Sequence, residues 1–159
     1  MGQLSRQVKD SLNGLIKTIN ESEDQLQVVV STSMIGIVSK RIFNNQEGSK
    51  NAAAENLGTY SEAYKISKTK KYGAALANKV NLYASGTLYG SVKQVKSGGQ
   101  TFVAVTDVNY PSGTTTTKVA DYLNKQYGEI FAPTEDEVKE IKIIGDKFIK
   151  KTTDEYFNR

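Results

Sequence analysis

The 159-residue chain contains no cysteine, no histidine and no tryptophan. Without cysteine there is no disulfide and no thiolate metal site, and the redox compartment leaves no mark on the sequence. Without histidine the commonest general base, the commonest metal ligand and every histidine-dependent triad are excluded. Carboxylate–Mg²⁺ chemistry and lysine chemistry stay formally open. Long apolar runs are missing too. The richest stretch, residues 28–38, is broken by Ser31, Thr32, Ser33 and Gly36 and falls far short of the roughly 20 residues needed to span a bilayer. At the N-terminus Arg6, Lys9 and Asp10 interrupt the apolar residues, so no secretion signal is expected there. The reading is of a soluble chain with no membrane partner.

What is present bounds the class further. The length suits one domain, residues 1–159, with a real core. Hydrophobic residues make up 38% of it, slightly few for a soluble domain, and an apolar-poor chain of this size often completes its packing in an oligomer. The formal charge of +4 is mild for a dedicated nucleic-acid binder, which concentrates positive charge on one face.

Leu4, Val8, Leu12, Leu15 and Ile19 recur at helical spacing and predict an amphipathic helix over residues 3–22, weakened locally by Gly14. The acidic cluster Glu21, Glu23 and Asp24 marks a helix end or a bend into the next helix, its charges suiting the start of a second helix. Val28-Val29-Val30 favours a strand by β-branching. The stripe Leu26, Val30, Met34, Ile37, Val38 and Ile42 favours a helix over residues 25–45, and its length decides for the helix. Together the two helices predict an αα-hairpin. Residues 46–80 lack periodicity and predict a long surface loop with a helical turn at residues 61–65, ordering only on assembly. Gly98-Gly99 between alternating segments at 91–97 and 100–107 predicts a β-hairpin. Thr117 is placed as the cap of a helix over 118–127 ending at Gly128. Residues 129–131 read as a short strand or extended link. Thr134-Glu135-Asp136-Glu137 forms a capping box before the stripe Val138, Ile141, Ile144, Phe148 and Thr152. The expected fold is α+β: an N-terminal helical hairpin and C-terminal helices packed on a small antiparallel sheet, with a long central loop.

Motifs with chemistry are few. The glycines of residues 83–90 lack the Gly-Lys-Ser/Thr of a phosphate loop and read as a turn into a short helix and strand. Glu135, Asp136 and Glu137 are consecutive on a helix and point in different directions, so capping explains them better than Mg²⁺. No catalytic, cofactor or metal residue is assigned, and no enzyme is expected. Lys65, Lys68, Lys70 and Lys71 interleave with Tyr60, Tyr64 and Tyr72. Lysines neutralise phosphates and tyrosines stack on bases, so these four lysines are the candidate nucleic-acid contact. The same residues also suit the rim of a protein interface.

Three segments in order, RIFNNQEGSKNAAAENLGTYSEAY at 41–64, KKYGAALANKVNLYASGTLYGSV at 70–92 and YGEIFAPTEDE at 127–137, resemble the tail-completion, or virion-morphogenesis, proteins of tailed bacteriophages. Arg41-Ile42-Phe43 matches that family's helix end before a glycine-rich excursion beginning at Gly48. Gly58-Thr59-Tyr60-Ser61, with Tyr64 following, matches its Gly-x-Tyr-Ser element. Val80-Asn81-Leu82 and Ser85-Gly86-Thr87-Leu88 match the segment and turn beyond, Tyr127-Gly128 the later helix end, and Phe131-Ala132-Pro133-Thr134 the link to the last helix. The resemblance covers residues 26–155. The chain departs from the family in having lysines where an arginine is usual and Ser85-Gly86 for Thr-Gly.

The resemblance implies a structural virion protein at the head–tail junction, assembled in the host cytoplasm. It would form a homo-oligomeric ring of about six or twelve copies. Its neighbours would be a connector or portal-side neck protein and a tail-tube or other tail protein, with packaged DNA passing through the lumen. The interface residues it suggests are Arg41, Phe43, Tyr60, Tyr64, Lys65, Lys68, Lys70, Lys71 and Tyr72. On this reading, deleting residues 48–70 leaves a folded monomer that cannot join heads to tails. The alternative is a nucleic-acid-binding accessory protein using the basic stretch of residues 65–71.

Overall fold

Helix α2 (Glu23–Ile42) carries apolar and small residues around most of its circumference. A helix of that composition must be covered on more than one side, and this requirement organises the molecule. The computed structural model, which describes residues 2–43, 48–77, 79–82 and 85–158, shows α2 with helix α6 (Glu135–Phe157) along one side and a two-stranded hairpin on another. The Val28-Val29-Val30 run is helical, because packing on both sides outweighs its β-branching.

Helix α1 (Gly2–Glu21) precedes α2 with only Ser22 between them. Ser22 keeps a helical backbone, its amide donates to Thr18 O at 3.1 Å, and Leu26 N donates to Ser22 O at 2.9 Å. The Ser22 hydroxyl also donates to Thr18 O at 2.9 Å, a back-bond that bends helices rather than ending them. The two helices therefore run end to end and do not form the expected hairpin with each other. The returning arm is α6, antiparallel to both. Its start meets Arg41, its middle brings Gly145 against Val30 and Leu26, and near its end Tyr156 Oη donates to Ser11 O at 3.0 Å. A Cβ on Gly14 would lie 2.2 Å from Tyr156 Oη, so this glycine admits the crossing helix.

Strands β1 (Val92–Ser97) and β2 (Gln100–Val105) pair antiparallel, Val92 opposite Val105 and Val95 opposite Phe102. Gly98 and Gly99 both have positive φ, 58° and 77°, as a two-residue turn matched to strand twist requires. The hairpin is fastened to α2 by polar side chains. Gln94 Nε2 donates to Thr32 Oγ1 at 2.6 Å and Val28 O at 3.2 Å, and Thr101 Oγ1 donates to Gln27 Oε1 at 3.0 Å.

Helix α4 (Thr87–Ser91) runs directly into β1 and buries Leu88 and Ser91. Helix α5 (Thr116–Tyr127) begins two residues before the expected start, and its cap is Thr115, not Thr117. Thr116 is fully buried. Its hydroxyl donates to Thr106 O at 2.6 Å and accepts from Val108 N at 2.9 Å. Thr117 instead donates to the Asp107 carboxylate, which with Thr115 holds Asp107 below its ordinary range. The threonine tract thus ties the start of α5 to the end of β2. Residues 129–131 are an irregular link, anchored by the fully buried Ile130. The capping box at Thr134 and Glu137 is formed in both directions. The class is α+β, as expected. Among the described residues no helix is long and apolar enough to cross a membrane.

The expected long loop at 46–80 is a correction. Its described residues carry helix α3 (Glu62–Tyr72), far longer than the expected turn, and a 3₁₀ turn at Ala74–Leu76. They also bury Ala77, and pack Leu57 and Val80 in the core with Val38, Ile42, Phe43, Leu88, Val92, Leu123 and Ile130. The segment supplies core, so deleting 48–70 would remove part of the fold rather than leave it intact. Leu57→Ala is expected to cost about 2–4 kcal/mol, whereas Ile66→Ala, at a side chain 56% exposed, should stay within about 0.5 kcal/mol. Urea-denaturation midpoints of the two variants separate a core segment from a surface loop.

Candidate functional site

Nine residues were candidates for partner contact, and the structure divides them into two buried latches and a surface group. Arg41 ends α2 facing inward. Its Nε donates to Glu137 Oε1 at 2.9 Å, Nη1 to Lys50 O at 2.7 Å and Nη2 to Ala132 O at 2.7 Å. Both charged side chains are nearly buried, 9% and 12% exposed. Glu137 uses its other oxygen to accept from Thr134 N at 2.7 Å, so one carboxylate serves the capping box and the guanidinium together. Charge-assisted bonds of this kind are the strong ones. Phe43 is buried, its ring edge-on to Tyr89 at 5.2 Å. Neither Arg41 nor Phe43 offers a surface to a partner, which corrects their assignment as interface residues.

Lys68 forms the second latch and is only 2% exposed. Its ammonium donates to Asn81 Oδ1 at 2.7 Å and Tyr60 Oη at 2.8 Å, and sits 4.3 Å from the Tyr60 ring centroid. Among the described residues no carboxylate pairs with it. Burial therefore acts uncompensated on Lys68 and lowers its amine to about 8, while burial, partly offset by the Asn81 and Leu82 backbone, raises the Tyr60 phenol to about 12. Lys68 is not available to a phosphate, which removes it from the nucleic-acid set.

The remaining candidates reach the surface. Tyr64 is half-exposed and tilts against Tyr60 at 4.9 Å. Lys70 and Lys71 are exposed, and Lys71 Nζ lies 5.3 Å from the Tyr72 ring. Lys65, partly covered, pairs with Glu62 at 3.8 Å. Tyr110, which sequence reading missed, joins this group. Burial raises its phenol, and the neighbouring Tyr64 and Tyr72 add to the rise. Nothing local in the sequence links Tyr110 to a helix some 40 residues earlier. Among the described residues no group of three acidic side chains is placed to hold a metal ion.

A larger feature was also missed. Val8, Leu12, Ile16 and Ile19 of α1 are exposed at 55%, 52%, 55% and 38%, because α6 covers the face carrying Gly14 and Ser11 instead. Ile149 and Phe157 of α6 extend this surface. An open groove of about 270 Å³ between the helices is lined by Val8, Ser11, Leu12 and Phe157. The periodicity of Leu4, Val8, Leu12, Leu15 and Ile19 marks an amphipathic helix but not which way its apolar face points. The sequence distinguishes a stripe that faces the core from one that faces outward only through Gly14, which marks the side where a helix crosses. Contiguous exposed apolar surface of this kind marks interaction sites.

The Lys68 latch has a signed pH dependence. The amine titrates near 10.5 when free and near 8 when folded, so in that window the unfolded chain binds more protons and stability rises with pH. Tyr60, ordinarily 10 and folded about 12, opposes this only above pH 10. Wild-type stability is expected to rise by about 1–3 kcal/mol from pH 7.5 to 9.5 relative to Lys68→Met, read from urea midpoints at both pH values. An unchanged difference would show that the fold does not lower the Lys68 amine.

No protein-family model matches the chain, and the searches of curated proteins and solved structures return no match either.

Proposed function

We propose that this chain is a structural subunit of a ring at the phage head–tail junction, joining the capsid-side connector to the tail. The observation that carries the reading is the uncovered apolar face of α1 and α6, formed by Val8, Leu12, Ile16, Ile19, Ile149 and Phe157. A helix with such a face completes its burial against another chain, and head-to-tail contacts that close a rotation make rings. The ordered motif resemblance over residues 26–155 supplies the place for the ring.

The motif residues serve the fold in this reading, and the contact surface lies elsewhere. Arg41 latches the end of α2. Gly48 has φ 89°, and a side chain there would crowd Lys79 and the Val80 carbonyl. Tyr60 holds Lys68, and Gly86, with φ 78°, starts α4. A related chain must keep these residues to keep the shape, whatever its partners. The neighbours on the particle would be the connector-side neck protein and a tail protein, with packaged DNA in the lumen.

The second reading, a nucleic-acid-binding accessory protein, retains Lys65, Lys70 and Lys71 with Tyr64, Tyr72 and Tyr110. The Lys71–Tyr72 pair and the exposure of Lys70 favour it. It expects salt-dependent binding lost on Lys70→Gln/Lys71→Gln.

Leu12→Asp/Ile16→Asp tests the first reading. The double variant is expected to keep wild-type helicity and melting within a few degrees. In a complementation assay it should leave filled heads and tails unjoined. Joined, infectious particles carrying it would contradict the assignment of this face.

A further inference from the structure

Helix α3 is held by an unusual side chain. Its one buried residue is Lys68, while Tyr64, Ile66, Lys70 and Lys71 face outward. Its packing is mostly on the 3₁₀ turn that follows it. The chain enters through the extended Ser61, whose hydroxyl caps Tyr64 N at 3.4 Å. It leaves through Gly73, with φ 90° and open space where a side chain would lie. The segments before and after it are tied into the fold by backbone bonds and core side chains. Val80 N donates to Gly58 O at 3.1 Å, Ser49 N to Val80 O at 2.6 Å and Leu57 N to Ser49 O at 3.0 Å, and Leu57 and Val80 are in the core.

We propose that α3 is a releasable strap, seated on Tyr60 and Asn81 through a buried Lys68 that makes closure costly, and that it opens as a unit while the rest of the fold stays closed. The latch is an ammonium that has exchanged its water shell for two oxygens and one ring face. A buried cation without a carboxylate gives up more hydration than such partners return. Opening rehydrates it and exposes little apolar surface, because α3 buries almost none. Sub-global openings of this kind occur below the free energy of global unfolding.

The groups that face the ammonium are Tyr60 from the preceding segment and Asn81 from the segment after the turn. Tyr64 of α3 stacks beside Tyr60, and the Glu62–Lys65 pair lies on the solvent side. The Tyr60 and Asn81 groups do not need Lys68. Asn81 N donates to Tyr60 Oη at 3.3 Å, and Tyr60 Oη donates to Asn81 Oδ1 at 3.4 Å. An apolar side chain of similar length at position 68 therefore removes the cost and leaves its neighbours partnered. Opening presents Lys65, Lys68, Lys70 and Lys71 on one arm. The device goes beyond the ring reading and does not depend on it.

Amide hydrogen exchange by mass spectrometry on the full chain at pH 7 tests it. Amides of α3 are expected to exchange at least tenfold faster than those of α2 and α6, after correction for intrinsic rates. Lys68→Met should slow the α3 amides at least tenfold and leave α2 unchanged. In the wild type, raising the pH from 7 to 9 should lower the corrected opening constant of α3. Equal protection of α3 and α2 in the wild type would overturn the proposal. So would a Lys68→Met chain whose α3 exchanges as fast as or faster than the wild type, or that fails to fold. A pH series without effect on α3 would overturn it independently of any variant.

Discussion

A single guanidinium determines how four pieces of this chain meet. Arg41 closes the C-terminal end of α2, and its three donors reach the start of the central segment, the link before α6, and α6 itself. A buried arginine left without acceptors is far more costly than a buried apolar side chain. The pieces must therefore arrive together, each supplying one oxygen. Glu137 makes the arrangement cooperative, because the carboxylate that neutralises Arg41 also completes the capping box of α6. The direction in which α6 leaves the link, and hence its antiparallel course along α2 and α1, is set at that point.

The same strategy recurs through the central segment. Asn51 accepts from Ala53 N and Glu55 N at 3.0 Å each, and donates to Tyr127 O at 3.0 Å and Glu55 Oε2 at 2.9 Å. The Ser49 hydroxyl donates to the Ile42 carbonyl. These polar side chains do the positioning that a larger domain assigns to apolar packing, in keeping with the low hydrophobic content. The apolar residues of α1 are then left facing outward, where a partner would cover them. A polar interior and an apolar exterior face are two consequences of one composition.

Legibility in the sequence followed the range of the interaction. The capping box at Thr134 and Glu137 that starts α6, the Gly98-Gly99 turn and the extents of α1 and α2 depend on neighbours a few residues away, and these were readable. Thr117 was misplaced as a cap because four consecutive threonines, Thr114 to Thr117, offer the same local chemistry. Only the distant Thr106 and Val108 select Thr116 for burial, leaving Thr115 as the cap. The central segment read as a loop because its core residues, Leu57 and Val80, are isolated. Its buried polar residues Ser49, Asn51, Lys68 and Asn81 also resemble a solvated surface. Arg41 and Phe43 carried a recognisable pattern whose inward direction no local rule supplies. The exposure of Lys70 and Lys71 was legible, whereas the burial of Lys68, the approach of Tyr110 and the outward face of α1 needed the fold.

The proposed ring joins two separate observations, a motif resemblance carried by residues that hold the shape and an outward apolar face carried by residues that do not. That this face meets a neighbouring copy in a ring is the central proposal. Electron cryo-microscopy of the assembled phage particle tests it most directly. The account predicts a closed ring of this chain at the neck, with the α1–α6 face buried against the next subunit. A particle whose neck lacks density for the chain would contradict it.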